Sequence, residues 1–275
     1  MRNSFEGAAL ESVDLDRIHD KAERALEAAR VHETDAADIA RADDLDAKFE
    51  KGATRESGEM KKVADIFEAV VLEHGELSNW FGDNATTAKT SRYDDYVNGI
   101  DLLVEFPGLE GGTEHLGLAM DVTFTNDTTS KFDRLKEKIG DGDLIEVKYH
   151  SADLGEGPIG VPEVIIGAEK RTVLEVGELW IERQNKELSR HRIQIQILRQ
   201  IEAGLETLGM YARSVRQESI AVAYERRLGT IRELLAEKAD IEREARFTLM
   251  DDSVHSSIMS FLASWKKSLL TAKAA

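Results

Sequence analysis

Short apolar runs typical of β-strands occur only in the middle of this 275-residue chain, and this placement sets its fold class. The runs cover residues 100–106, 116–125, 144–149 and 163–167 and are separated by polar or glycine-rich turns. A helical pattern capped by Ser130 lies between the second run and the third. The order strand, strand, helix, strand predicts an antiparallel pair followed by a crossover in a mixed sheet, and hence an α+β fold.

Helical patterns precede the strand-like runs. Residues 10–51 are rich in Ala and charge and predict one or two exposed helices, and residues 52–58 are typical of a linker. A helix that packs on the sheet is predicted from residue 59 to about residue 75, with an end near residue 78 as the less favoured alternative. The prediction rests on apolar residues at helical spacing: Val63, Ile66, Phe67, Val70 and Val71. A polar loop is expected over residues 79–91.

From Thr172 onward the sequence predicts helices alone. Apolar residues form a near-heptad stripe in two successive helices, at Ile201, Leu205, Leu208, Ala212 and Val215 and then at Leu228, Ile231 and Leu235. Such coiled-coil-like stripes indicate either an antiparallel hairpin or the seam of a homodimer. The chain is therefore divided into a helical, acidic N-terminal arm (1–58), an α/β core (59–170) and a helical C-terminal region (171–275).

The formal net charge of -17 is concentrated in the predicted core. Residues 1–58 carry 9 Lys and Arg against 15 Asp and Glu, residues 59–170 carry 10 against 23, and residues 171–275 carry 17 against 15. This balance argues against a protein that coats nucleic acid by bulk attraction. Residues 183–227, with nine Lys or Arg against five Asp or Glu, are either a cationic approach for nucleic acid or an ordinary solvated helix face.

Absent residue types narrow the possible sites. The chain has no Cys, so a disulfide framework and a Cys-ligated zinc site are excluded. Any metal ion must be held by carboxylates, carbonyls or imidazoles. The first residues lack the apolar segment of a secretory signal, and no stretch approaches the roughly 18 uncharged apolar residues that span a bilayer. We therefore expect a cytoplasmic protein with no membrane partner.

Two aspartates lie at positions where a charged side chain is energetically unfavourable. Asp101 and Asp121 each lie between apolar neighbours, in the first and second strand-like runs. A charge in the interior of a strand costs several kcal/mol unless it is paired or bound to metal, and two acids on adjacent strands repel each other. Mg²⁺ binds one or two carboxylates while keeping several waters, so the pair suits this ion. The alternative is that each acid is solvated at a strand edge or paired with a nearby Lys or Arg.

These residues resemble a known superfamily. Residues 91–101, which end in Gly-Ile-Asp, together with Asp121-Val122-Thr123 and a preceding acidic helix, resemble the PD-(D/E)XK nucleases. They are also similar to a little-characterised bacterial group within that superfamily, and the likeness covers residues 59–170. It implies an αβββαβ-like mixed-sheet core, flanked here by N-terminal helices and a long C-terminal helical hairpin. Asp101 then matches the first metal-binding acid, and Asp121 matches the acid of the acid-x-Lys motif.

One motif position departs from the family. Thr123 stands where the family has the lysine that polarises the scissile phosphate or orients the attacking water. Lys148, the lysine of a second acid-x-Lys string, is expected to replace it, and Lys131 and Lys136 on the intervening helix are other sources. A register in which Asp121 is the first acid and that string is the second motif is less favoured, because a helix then separates strands that the family joins as a hairpin. Without any such lysine, the protein is a weakened or inactive relative.

In the family, a glutamate of the first helix often completes the metal shell. Glu73 is the expected ligand and Glu68 is its rival, with a solvated helix face as the alternative for both. The resemblance thus implies Mg²⁺- or Mn²⁺-dependent phosphodiester hydrolysis of nucleic acid, DNA rather than RNA. Asp101, Asp121 and Glu73 hold the metal, and Lys148 stabilises the phosphate in the transition state.

A non-catalytic interaction or dimerisation protein with a nuclease-like fold and helical arms is the competing interpretation. The net charge of -17, the missing motif lysine and the extensive helices favour it. Asp101 and Asp121 facing one pocket would favour the nuclease, whereas opposite orientations or salt bridges to Arg would favour the interaction protein. The motifs HExxH, GxxxxGK[ST] and GxGxxG do not occur, so the sequence indicates none of the catalytic or nucleotide-binding sites that these motifs mark. Whether the chain is an enzyme stays open at the level of sequence.

Overall fold

The structure is a computed structural model that describes residues 15–107, 113–122, 126–150, 157–245 and 251–274, with the side chains of 126–128, 273 and 274 left out. Three helices come before the first strand: α1 (Leu15–Ala29), α2 (Ala36–Gly52) and α3 (Arg55–Leu77). A one-turn π-helix covers Asp94–Asn98, and α4 covers Asn126–Asp141.

The main sheet has four strands in the order β1-β2-β3-β6. Their bounds are Thr86–Lys89 for β1, Leu102–Pro107 for β2, Thr113–Asp121 for β3 and Glu163–Gly167 for β6. The pairs β1–β2 and β2–β3 are antiparallel, whereas β3 and β6 are parallel and are connected through α4. Read from α3 to β6, the main-sheet elements follow the order αβββαβ, so the predicted α+β fold class and its core order are confirmed.

The strands of this sheet differ from those expected. The predicted strand 144–149 is shortened to β4 (Ile145–Val147), which pairs with β5 (Ile159–Val161) in a separate two-stranded sheet. The predicted polar loop 79–91 instead contains β1, whose four residues, Thr-Thr-Ala-Lys, have no apolar alternation. The residues of β1 have no intrinsic preference that predicts a strand. They form one because they pair with the apolar strand β2.

The described C-terminal residues are helical, as predicted. The helices are α5 (Lys170–Ile181), α6 (Asn185–Leu188), α7 (Ile193–Ser214), α8 (Glu218–Glu237), α9 (Ala239–Ala245) and α10 (Ser253–Ala274). Helices α7 and α8 pack as a hairpin, and the stripe residues Leu205 and Ile231 are fully buried within the chain. The hairpin alternative therefore accounts for the apolar stripe, and a homodimer through these helices stays a prediction.

The N-terminal arm folds against the core. Helix α1 packs on α3 and α5 and buries Ile18, Ala22 and Leu26. The predicted linker 52–58 is reduced to two residues between helices, because Thr54 caps α3 in a capping box with Ser57. The buried apolar residues from α1 to α10 form one continuous hydrophobic core. Among the described helices, none combines the length and apolar character needed to cross a bilayer.

The junction of β3 and β6 has no room for a side chain at Gly167. A Cβ there would lie 2.6 Å from the backbone oxygen of Asp121 and 2.8 Å from Cγ1 of Val254. Gly229 in α8 is a matched contrast, since a Cβ there meets nothing within 4 Å.

We expect Gly167→Ala to lower the free energy of unfolding by about 1–3 kcal/mol, because the backbone must shift to admit the methyl group. Gly229→Ala is expected to raise the free energy of unfolding by about 0.5–1 kcal/mol, because glycine in a helix interior loses more conformational freedom on folding than alanine does. Urea unfolding of both variants beside the wild type checks this. Equal effects of the two substitutions would contradict the packing at Gly167.

Candidate functional site

Asp101 and Asp121 lie at the same edge of the main sheet. Asp101 is the residue before β2, and Asp121 is the last residue of the neighbouring antiparallel strand β3. The backbone N–H of Asp101 donates to the oxygen of Leu118 at 2.9 Å. Its carboxylate Oδ2 accepts the backbone N–H of Met120 at 2.6 Å, so the side chain replaces a strand carbonyl where the ladder ends.

Lys131 of α4 connects the two aspartates. Its Nζ donates to the backbone oxygen of Met120 at 2.8 Å and lies 3.7 Å from Oδ2 of Asp121. Its charge also acts on the carboxyl of Asp101, whose pKa it draws downward against the other influences there. The side chain of Lys131 is 30% exposed, so this cation borders solvent.

Three further charged residues complete the arrangement. Nζ of Lys89, in β1, lies 2.8 Å from Oε2 of Glu68 and 2.8 Å from Oδ2 of Asp95. Glu68 comes from α3, and Asp95 from the π-helix. Only 1% of the Lys89 side chain is exposed. Together with Asp101, Asp121 and Lys131, these residues form what we name the carboxylate–lysine cluster.

The carboxylates of the cluster repel one another, although Lys89 is not their only described cation, since Nη1 of Arg30 lies 3.9 Å from Oδ2 of Asp95. Burial, reinforced by repulsion from Glu68 and Asp95, raises the pKa of Asp101 well above its usual range. Burial also raises the pKa of Glu68, despite the nearby ammonium of Lys89. For Lys89, burial opposes the charged form, but the carboxylates of Glu68, Asp95 and Asp101 outweigh it and raise its pKa. Strongly shifted pKa values are typical of functional sites, although structural ion-pair networks produce them too.

Two of the predicted site residues lie elsewhere. Oε2 of Glu73 accepts a hydrogen bond from the indole N–H of Trp180 at 2.7 Å, so this glutamate faces α5. Nζ of Lys148 pairs with Asp38 of α2, and its ammonium lies 5.3 Å from the ring centre of Tyr93. The structure therefore brings Asp101 and Asp121 together, but not with Glu73 or Lys148.

The other lysine candidates separate as well. Nζ of Lys136 donates to Asp133 at 2.9 Å and lies 4.6 Å from the ring centre of Trp265, away from the cluster. Lys131 is thus the candidate that contacts Asp121. Thr123, at the motif lysine position, lies outside the described residues.

Sequence reasoning offered Glu68 only as the rival of Glu73 and did not select Lys89. Glu68 stands in the buried stretch 66–72 of α3, so the signal applied to Asp101 and Asp121, a charge among apolar neighbours, was present for it too. Lys89 gave no such signal, because β1 carries no apolar pattern. Its role depends on strand pairing, which the sequence does not display.

A second buried acid lies beside α4. Glu163, at the start of β6, is fully buried and accepts a hydrogen bond from Arg134 at 2.6 Å through Oε1. Among the described groups, its Oε2 has no hydrogen-bond partner. Burial therefore raises the pKa of Glu163 to about 7, although Arg134 and Lys131 oppose the shift.

The predicted cationic approach in 183–227 is largely neutralised by local acids. Arg190 pairs with Asp240 and Glu244, and Arg192 pairs with Glu175. Further ion pairs engage four more arginines of this stretch: Arg199, Arg213, Arg226 and Arg227. Nucleic acid as a partner stays a prediction, and this segment gives it little charge.

Two other features lie apart from the cluster. Potential ligand atoms of His19, Asp20 and Glu23 lie within 4.8 Å of one another, but Asp65 already hydrogen-bonds the His19 ring at 2.9 Å. A cleft of about 490 Å³ lies between residues 81–85, the β2–β3 hairpin and α8. Neither includes a residue of the carboxylate–lysine cluster.

Comparison with protein-family models, with curated proteins and with solved structures found no match. What the cluster does must therefore be argued from its own geometry.

Replacing Lys89 tests whether it is the internal counter-ion of the cluster. We expect Lys89→Met to lower the free energy of unfolding by about 3 kcal/mol, because Glu68 and Asp95 lose their buried partner. The matched control Lys48→Met removes an exposed pair with Asp44 and should change it by less than about 0.5 kcal/mol. Chemical denaturation measures both; similar small effects would refute a buried counter-ion.

Glu163 predicts a dependence of stability on pH. Its pKa rises from 4.5 to about 7 on folding, so the folded state holds its proton more tightly. This contribution to stability is complete below pH 4.5 and is lost as the pH rises through 7, a change of about 3 kcal/mol. Urea unfolding across this range should show the decline in the wild type and a weaker one in Glu163→Gln. The exposed control Glu187→Gln should retain the full decline, and an unchanged profile in Glu163→Gln would contradict the assignment.

Proposed function

We propose that the carboxylate–lysine cluster binds a divalent metal ion, Mg²⁺ or Mn²⁺, and catalyses phosphodiester hydrolysis in nucleic acid, DNA rather than RNA. The observation that carries the proposal is the placement of Asp101 and Asp121 at one sheet edge, around an accessible lysine. The αβββαβ order of the fold also agrees with what the sequence resemblance implies.

The residues present suit such an ion. The donor set consists of carboxylate oxygens, which Mg²⁺ and Mn²⁺ prefer. The raised pKa values of Glu68 and Asp101 indicate buried negative charge that further positive charge would stabilise. Asp101 uses Oδ2 for Met120, which leaves Oδ1 to serve as a ligand beside Asp121.

The roles expected from the sequence move to neighbouring residues. Asp101 and Asp121 would hold the ion, and Glu68 takes the helix position expected for Glu73. Lys131 takes the phosphate-facing role expected for Lys148, because it is partly exposed and contacts Asp121. A bound divalent ion supplies Lewis-acid stabilisation of charge developing on phosphate and lowers the pKa of water.

The competing function, a non-catalytic interaction protein, has one specific observation in its favour. Lys89 already provides two of the acids, Glu68 and Asp95, with a positive partner at 2.8 Å. A buried lysine in such a position can make the cluster a structural ion network with no need of metal. Metal binding is therefore the measurement that separates the two functions.

Calorimetric titration with Mg²⁺ and with Mn²⁺ tests the site directly. We expect the wild type to bind and Asp101→Asn and Asp121→Asn each to weaken binding at least tenfold, because each removes a charged ligand from the ion. The control Asp133→Asn removes an exposed carboxylate from α4 and should bind as the wild type does. Absence of binding in the wild type at millimolar metal would exclude the metal site and favour the interaction protein.

Lys131 can be tested by cleavage. With labelled single- and double-stranded DNA and RNA as substrates, we expect Lys131→Met to lower the cleavage rate by about 10²–10³-fold, the scale for loss of one transition-state contact. Lys136→Met, on the same helix, should cleave at the wild-type rate because its ammonium pairs with Asp133 instead. Equal losses in both variants would show that Lys131 has no special role.

A further inference from the structure

An acidic helix covers a basic and aromatic surface beside the cluster. The surface, which we name the basic–aromatic face, is formed by Arg92, Tyr93, Tyr96, Lys148 and Tyr149.

Carboxylates of α2 engage the face at several points. Nη1 of Arg92 lies 2.8 Å from Asp43 and 3.0 Å from Asp46, and Asp46 also accepts the hydroxyl of Tyr96 at 2.6 Å. Asp38 accepts the hydroxyl of Tyr149 at 2.6 Å. It also pairs with the ammonium of Lys148, as described above. The carboxylates of one helix thus occupy both cations of the face.

Apolar packing contributes little to this docking. Of the 17 residues of α2, only Asp38 and Ala42 are buried. Phe49, 57% exposed, makes an edge contact with Tyr96 at a ring-centre distance of 5.4 Å. The pairs of Arg92 with Asp43 and Asp46 are partly exposed, and such pairs are individually weak and are screened by salt. With only two buried residues, α2 is more readily displaced than a helix packed in the core.

The covered face has the chemistry of a single-strand binding surface. Such surfaces combine cations that follow the phosphates with aromatic rings on which bases stack. Arg92 and Lys148 provide the cations, and Tyr93 and Tyr96 provide rings that are only half-buried. The face also adjoins the cluster, because Arg92 and Asp95 belong to one short segment and Asp95 contacts Lys89.

We propose that the basic–aromatic face binds single-stranded DNA, and that α2 occupies it as an internal competitor whose carboxylates stand in for phosphates. DNA binding then requires displacement of α2. The choice of ligand rests on the proposed function, but the binding step is separate from hydrolysis and is measured without it.

The test uses fluorescence anisotropy with a labelled oligothymidine, in EDTA and at low salt, so that no cleavage occurs. In Asp43→Asn/Asp46→Asn, Arg92 loses its two carboxylate partners from α2. It keeps Glu33, whose Oε1 lies 3.7 Å from Nε of Arg92. We therefore expect binding about two- to fivefold tighter than in the wild type, the scale of freed surface ion pairs. The matched control Asp44→Asn/Glu50→Gln removes the same charge from the same helix. Asp44 pairs with Lys48 within α2, so the control leaves the docking contacts intact.

The inference is overturned if the two double variants bind equally, since that result indicates bulk charge alone. It is also overturned if neither binds, or if the gain persists when Arg92→Ala is added to Asp43→Asn/Asp46→Asn. Because Asp43 is 59% exposed and Asp46 is 37% exposed, the substitutions leave the core unaltered.

A second measurement uses the wild type and depends on no variant. An isolated helix of this length is marginal in water, so displaced α2 should exchange its amide hydrogens faster. Hydrogen exchange with saturating oligothymidine should therefore accelerate over residues 36–52, and unchanged or slower exchange there overturns the inference. If DNA binds as expected but is never cleaved, this inference stands and the proposed hydrolysis fails. If DNA is cleaved but Asp43→Asn/Asp46→Asn binds it no more tightly than the wild type does, the hydrolysis stands and this inference fails.

Discussion

The arrangement of the site depends on the ammonium of Lys89 between Glu68 and Asp95. With 1% of its side chain exposed and both carboxylates at 2.8 Å, this lysine ties together α3, β1 and the π-helix. Removing charges from water is expensive, and the attraction among them offsets this only when the geometry is good. The cluster therefore fixes three elements relative to one another, whatever it contributes to net stability.

The turn before β2 and the β2–β3 pairing position the two aspartates of the site. Gly99, with φ of 75°, lies in the left-handed region, which lets the chain turn from the π-helix into β2. A Cβ there would also strike the guanidinium of Arg134, at 1.6 Å from Nη1. The turn places Asp101 directly before β2, where its carboxylate accepts a hydrogen bond from the N–H of Met120. Asp121 follows Met120 in β3, so a single backbone junction places both acids near Lys131.

The sequence predicted those residues of the site that stand out from the composition of their immediate neighbours. A charge among apolar neighbours marked Asp101 and Asp121, and the same signal stood at Glu68, although proximity to the helix end favoured Glu73 instead. Apolar runs marked β2, β3 and β6 in the sequence, whereas the full αβββαβ order was implied by the family resemblance alone. Strand β1 was not, since its four residues become a strand only through pairing with β2, and Lys89 was lost with it. Lys148 was misplaced for a related reason. It directly follows β4, which pairs with β5 rather than with the main sheet, and its ammonium pairs with Asp38 of α2.

Net charge describes the binding properties of this chain poorly. The total of -17 suggests a molecule that repels nucleic acid, yet many of its charges are satisfied internally. Arginines of the C-terminal helices pair with nearby acids, whereas Arg92 and Lys148 pair with an acidic helix that buries almost no apolar surface. The two kinds of pairing differ in consequence. A guanidinium paired with an acid of the packed C-terminal helices stays neutralised, but one paired across a weakly docked helix becomes available when that helix moves. The field that a ligand meets is then set by the stability of α2 docking, and not by the sum of charges along the chain.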